Sequence, residues 1–371
     1  MKRLMVAIVL ATGLAGAGQY LSAAQPAAQS PEPFKLGTFA QAGGTFAGLV
    51  LGDTTVVHLA EANAAIEREP GAAKIAMPRD LKDLIARYEQ GGLKDRLHAI
   101  ARAARAASGA SYVRDRQAVT VLPPVMPDTI LNAAVNYTEH ANEMAGAGAA
   151  AAAPPPPPDS MPGLWQRKPG DTRHNPYLFI KPRAAVIADG EAIRLPPGRE
   201  KIDWECELNA VVGRTASHVP VERAADYIFG YTLQNDVSDR GGRGDGRHGS
   251  DWLIGKGHDT FAPVGPFIVP REFVKDPQKL AIKFTLSGKL MQDSNTDRMT
   301  HTVFEMVSFA SHILTLKPGD LVSTGSPAGV GTARATPIYM KAGDLSVCSI
   351  EGIGTLTNPV AGPAPTSTSA R

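Results

Sequence analysis

Hydrophobic and polar residues follow distinct rhythms along this chain. Near the front, runs at residues 45–51 and 54–59 are rich in Thr, Val, Leu and Phe. Gly52-Asp53 separates them, which predicts a β-hairpin. His58 sits inside the second run and reads as a core residue rather than a ligand. Between residues 78 and 105 the period lengthens to the helical one. Leu81, Leu84, Ile85 and Tyr88 form one stripe, and Leu93, Leu97 and Ile100 form another after Gly91-Gly92. Strand-like runs return at 129–135, 177–182, 193–196, 202–212, 230–238 and 266–270. Residues 280–291 alternate as a second hairpin about Ser287-Gly288. Residues 302–314 carry Val303, Met306, Val307, Ala310 and Ile313 at helical spacing, and Lys317-Pro318-Gly319-Asp320 stops them. A short strand at 321–324 then runs into a Gly-rich turn over 325–331.

Other stretches break these rhythms. Met1-Lys2-Arg3 is cationic, residues 4–17 are apolar and small, and Leu21-Ser22-Ala23-Ala24 offers a small-x-small cleavage site. That pattern predicts a secretory signal peptide over 1–24 and an exported protein, periplasmic or secreted, with a single-pass anchor as the alternative. Residues 25–33 read as a disordered linker and 361–371 as a disordered tail. Residues 145–158 are an Ala/Gly run ending in five prolines, and read as a mobile or polyproline II excursion within an insertion over 145–175. Leu122-Pro123-Pro124 divides the remainder into a small N-terminal domain (34–125) and a main domain (126–360).

Composition narrows the partners. No later segment approaches the roughly 18 apolar residues that span a bilayer, so no membrane partner is expected after signal cleavage. A formal net charge of +2 argues against a dedicated nucleic-acid binder. An exported setting permits disulfides, but the only cysteines are Cys206 and Cys348. Cys206 reads as a core residue, its pairing with Cys348 being the lesser alternative.

The run at 202–212 carries the candidate chemistry. Ile202, Trp204, Leu208, Val211 and Val212 mark a buried strand, yet Glu205 and Glu207 are set into it two residues apart. A strand alternates faces with period two, so both carboxylates point the same way and Cys206 points the other. Buried side by side, they repel unless a cation lies between them. Asp236, at the end of the next apolar run, is a candidate third oxygen ligand. Such a set suits Mg²⁺, Mn²⁺ or Ca²⁺ better than zinc. An edge strand whose glutamates face water or pair with arginine is the alternative. His140 and Glu143, three apart, share a face of any helical turn, so Glu143 could orient His140 as a general base on water; an exposed polar turn is the alternative. Lys256, among glycines, could bring its ammonium close to a ligand carboxylate or enolate. The turn at 325–331 exposes backbone N–H groups in an anion-binding arrangement, or is merely structural.

Taken in order, Glu205-Cys206-Glu207, Gly230-Tyr231, Asn235-Asp236-Val237-Ser238, Lys256, the block 259–266, Gln292-Asp293 and the turn 324–331 resemble the fumarylacetoacetate hydrolase (FAH) family over residues 129–360. The resemblance implies an α+β, β-rich fold, a mixed β-sandwich roll that is usually dimeric, so a homodimer is expected. It implies Glu205, Glu207 and Asp236 as ligands of a divalent metal (Mg²⁺, Mn²⁺ or Ca²⁺). It further implies Lys256 for enolate stabilisation, and His140 with Glu143 for water activation on a lid helix. Tyr137, Lys181, Arg240, Gln292, Thr324, Gly325 and Ser326 would line the pocket of a small-molecule keto-acid substrate. The implied reaction is hydrolysis of a C–C bond in a β-diketo acid. Decarboxylation or isomerisation of oxaloacetate- or hydroxymuconate-like acids is one alternative, and keto-acid binding without turnover is another. The family's Ala-Arg-Asp reads Asp239-Arg240-Gly241 here, so the usual acidic support after the arginine is missing.

Overall fold

A computed structural model describes residues 33–146, 170–244, 247 and 249–363. The expected signal peptide, linker, insertion and tail fall wholly or largely outside these residues. The strands in chain order are β1 (Lys35–Gln41), β2 (Gly44–Leu51), β3 (Thr55–His58), β4 (Ile130–Ala134), β5 (Tyr177–Lys181), β6 (Cys206–Val212) and β7 (Ile228–Asn235). They continue with β8 (Ala262–Pro270), β9 (Ala281–Leu286), β10 (Lys289–Asn295), β11 (Leu321–Ser323), β12 (Leu345–Ile350) and β13 (Gly354–Ala361). The helices are α1 (Leu59–Ile66), α2 (Leu81–Arg87), α3 (Leu93–Ala106), α4 (Thr138–Gly146), α5 (Trp252–Lys256) and α6 (Val303–Ile313).

Local chemistry accounts for several element boundaries. Gly52 and Asp53 turn the β2–β3 hairpin with φ of 57° and 61°, the left-handed pair that matches the twist of the flanking strands. The helical stretch at 78–105 is two helices, because Gly91 and Gly92 adopt φ of 56° and 72° between α2 and α3. Helix α6 begins with a capping box: Thr302 accepts from the Glu305 N–H while Glu305 accepts from the Thr302 N–H. His58 is half-buried, stacks on Phe46 and accepts from the Glu61 N–H, so it caps α1 rather than filling the core.

A 12-stranded sheet runs β3-β2-β1-β8-β7-β6-β11-β4-β5 with short strands added at its margins. A 5-stranded sheet, β10-β9-β12-β13 with Ile193–Arg194, packs against it. The N-terminal segment joins the large sheet through β1, which pairs with β8 at Leu36↔Ile268. Its helices bury Leu84, Leu97 and Ile100 on one side of that sheet together with Val211, Phe229 and Leu321 from later strands. The larger core lies between the two sheets and includes Trp204, Cys206, Leu208, Phe284, Cys348 and Leu356. Central strands β6, β7 and β11 thus have both faces covered. Among the described residues no helix is long and apolar enough to cross a membrane.

Candidate metal centre

Register brings the carboxylates together. Strands β6 and β7 are antiparallel with Cys206 opposite Asn235 and Glu207 opposite Gln234. Just past the ladder, the Asp236 N–H donates to the Glu205 carbonyl at 2.8 Å. Directly opposed residues share a face, so Glu205, Glu207 and Asp236 converge while Cys206 and Asn235 turn to the other side. The three carboxylates are buried, and each offers an oxygen within 4.8 Å of the others.

Cations surround two of the three. Lys256, at the end of α5, donates to Glu205 Oε2 at 2.5 Å and Asp236 Oδ2 at 2.6 Å. Arg240 reaches Glu205 Oε1 at 2.5 Å, and Lys181 on β5 reaches Asp236 Oδ1 at 2.6 Å. Burial opposes ionisation of Glu205, but Lys256, Arg240 and His140 outweigh it and hold the carboxyl well below its ordinary range. Burial also draws the Lys181 ammonium down to about 8, against the pull of Asp236.

Glu207 is different. Its Oε2 accepts from Ser323 Oγ, from the Gly325 N–H at 3.3 Å and from Asn132 Nδ2 at 3.4 Å. Its Oε1 is buried with no hydrogen-bond donor. Burial, then the charges of Asp236 and Glu205, push its carboxyl well above the ordinary range. An oxygen-only donor set with one orphaned carboxylate oxygen fits a hard divalent cation, which would satisfy Oε1 and offset the repulsion.

His140 and Glu143 do form a dyad on α4. His140 Nδ1 lies 2.7 Å from Glu143 Oε1, and its Nε2 faces the acidic centre, 3.8 Å from Glu205 Oε1. The Gly-rich turn holds the other oxygen of Glu143, through the Gly329 N–H at 2.8 Å. Gly329 has φ of 103°, and a Cβ there would lie 2.2 Å from the Met291 carbonyl, so only glycine presents that N–H without displacing β10.

The expected pocket residues divide. Arg240 and the turn face the centre, but Gln292 is spent on the protein. It accepts from the Cys206 N–H at 3.1 Å and donates to Ser326 Oγ and the Pro327 carbonyl at 2.8 and 2.7 Å. Thr324 binds the Leu208 carbonyl through its hydroxyl at 2.9 Å. Tyr137 is wholly buried in the core. Lys181 supports a candidate ligand instead of lining open space.

One feature escaped the sequence reading, and one expectation is corrected. Asp203, fully buried, accepts from Arg240 Nε at 3.1 Å, the Gly331 N–H at 2.7 Å and the Thr332 N–H at 3.1 Å. It supplies the acidic support that the residue after Arg240 lacks, and the D-x-E-x-E alternation of residues 203–207 was the available signal. Cys206 is a core residue as expected, but the lesser alternative holds for its thiol: it is disulfide-bonded to Cys348, because the five-stranded sheet brings β12 against the back of β6.

Comparison with known proteins decides the lineage. A model described as fumarylacetoacetate (FAA) hydrolase C-terminal matches residues 129–361. The chain belongs to the fumarylacetoacetate hydrolase family. Among relatives of this FAH-family chain, the mitochondrial oxaloacetate tautomerase fahd2 of Xenopus laevis is 33% identical over 250 residues, 67% of this chain and 70% of that protein. A solved 5-carboxymethyl-2-hydroxymuconate delta-isomerase from Mycobacterium smegmatis is 28% identical with a TM-score of 0.61, covering 89% of this chain and 99% of the isomerase. A maleylpyruvate hydrolase from Sphingobium sp. SYK-6, in complex with manganese(II) and pyruvate, is 26% identical with a TM-score of 0.61, covering 89% and 100%. The β-rich α+β fold expected from the sequence is therefore the FAH fold, and its described residues form no closed barrel.

Proposed function

We propose that this FAH-family protein is a divalent-metal-dependent hydrolase that cleaves a C–C bond in acylpyruvate-like β-diketo acids. The observation that carries this reading is the His140–Glu143 dyad, 2.7 Å apart, with the free ring nitrogen turned to the acidic triad. Glu205, Glu207 and Asp236 would hold the cation. When bound, the cation would act as a Lewis acid towards an α-keto carboxylate and draw charge onto its keto oxygen. Glu143 accepts the Nδ1 proton and leaves Nε2 as the base. His140 takes a proton from water, and the oxygen adds to the distal carbonyl. The C–C bond then breaks with its electron pair passing to the pyruvate fragment, whose oxygen charge faces Lys256. Protonated His140 returns its proton to the enolate carbon, so water and acylpyruvate yield one carboxylic acid and pyruvate.

A second reading is supported by the relatives named as oxaloacetate tautomerases. In it His140 moves a proton between carbon and oxygen, with no attacking water. One experiment separates the two: ultraviolet loss of acylpyruvates and of enol-oxaloacetate, with Mg²⁺ or Mn²⁺ and then with EDTA. Pyruvate release from acylpyruvates, abolished by EDTA, is expected. Rapid ketonisation of oxaloacetate with no acylpyruvate cleavage would replace the hydrolase reading with the tautomerase one. Activity indifferent to EDTA would sink the metal assignment. An exported setting belongs to the same proposal, supported by the N-terminal pattern and by a disulfide of the kind that persists in oxidising compartments.

A further inference from the structure

Cys206 stands between two candidate metal ligands, and its side chain is the only covalent tie that strand makes to the second sheet. Its partner, Cys348, lies in β12, 142 residues away in sequence, with Cα atoms 5.4 Å apart. Both residues are fully buried. The contacts beside the bond join the same two layers: Trp204 stacks on Phe284 of β9 at 5.3 Å, and Asn235 Nδ2 donates to Ser346 Oγ of β12 at 3.1 Å. The Cys206 N–H also binds Gln292, whose amide holds Ser326 and Pro327 of the Gly-rich turn. That turn in turn holds Glu207 and Glu143 through Gly325 and Gly329.

We propose that the Cys206–Cys348 disulfide is a positioning cross-link of the metal centre, whose closure sets where Glu205 and Glu207 stand relative to Asp236. The argument is geometric. Each glutamate Cα is one peptide, about 3.8 Å, from the Cys206 Cα, so displacement of Cys206 passes directly to both. A hard divalent ion responds to ligand shifts of about 0.5 Å. The proposal rests on reading the acidic triad as a metal site. Closure is a thiol–disulfide exchange: each thiol gives up one proton and one electron, and an oxidant protein or small-molecule disulfide receives both pairs and leaves as two thiols.

Mn²⁺ affinity, measured by electron paramagnetic resonance or calorimetry, tests it on the full chain and on Cys206→Ala/Cys348→Ala, with Cys206→Val/Cys348→Ala as a fuller-volume control. Thiol counting under denaturing, non-reducing conditions accompanies it. The expected result is no free thiol in the native chain, and folded variants that bind Mn²⁺ on the order of ten- to a hundredfold more weakly. A cross-link acting on stability alone lowers the melting temperature and leaves the affinity of the folded variants unchanged, and that result overturns the proposal. So does a native chain with two free thiols, or failure of both variants to fold, which makes the bond a general staple. Absence of Mn²⁺ binding by the native chain overturns the metal reading itself and is distinguishable from the rest.

Discussion

The two faces of β6 and of the residues that lead into it are opposite in character. One face presents Glu205, Glu207 and Asn209, all buried and polar. The other presents Trp204, Cys206 and Leu208, which fill the space between the sheets. Only alternation separates them, yet one face buries charge and the other buries apolar surface. Lys256, Arg240 and His140 more than offset the desolvation of Glu205, but no cation among the described residues contacts Glu207, whose raised carboxyl shows a burial cost left uncompensated. The back face buries apolar surface without such a cost. A site of this kind needs a backing that is firm and apolar, since its own groups supply little net stability.

That contrast is open to experiment. Trp204→Ala empties the back face and is expected to cost about 4 kcal/mol, the order seen for buried aromatic truncations; urea unfolding midpoints measure it. Glu207→Gln keeps the shape of the front face but removes one ligand charge, the one whose carboxyl burial already pushes up. Mn²⁺ binding should be lost and kcat/KM should fall about a thousandfold, the several kcal/mol a catalytic metal supplies, while the unfolding midpoint does not drop. A parallel loss of stability would show that the front face holds the fold, contrary to the comparison. His140→Ala should lower kcat about a hundredfold, the order of a lost general base, and leave Mn²⁺ affinity unchanged. An equal loss of Mn²⁺ affinity would make His140 a ligand.

A smaller effect is expected from His301, buried away from both faces. Burial, then the charge of Arg173, lowers its imidazole to about 4 from 6.5, so the folded state keeps it neutral. Below pH 6.5 the unfolded chain takes up the proton first, so stability should fall as pH drops from 6.5 towards 4. His301→Asn should flatten that part of the profile, measured as urea midpoints at pH 7 and 4.5. An unchanged slope would assign the acid sensitivity to the carboxylate front face instead.

How much of this was legible in the sequence follows from the range of each interaction. Glu205 with Glu207 and His140 with Glu143 are two and three residues apart, so strand and helix periods alone aligned them. The Gly52-Asp53 hairpin and the helical spacing of α6 were local in the same sense. Asp203 had the same spacing as Glu205 and was passed over, because its partners Arg240 and Gly331 come from distant segments. The Cys206–Cys348 bond and the pairing of β1 with β8 depend on how sheets stack, which no period encodes. Lys181 and Gln292 were assigned to the pocket by resemblance. The structure spends Lys181 on Asp236 and Gln292 on Cys206 and the turn.

The β6–β7 register has one more consequence. Sliding either strand by a single residue would exchange the faces, sending both glutamates between the sheets and Cys206 to the acidic side. In that arrangement the two sulfurs could not meet, since bridging demands Cβ atoms about 4 Å apart and aimed at each other. A closed bridge therefore certifies that the strand has been read in frame. The oxidised chain carries, in one covalent bond, a record that its acidic residues ended on the correct side.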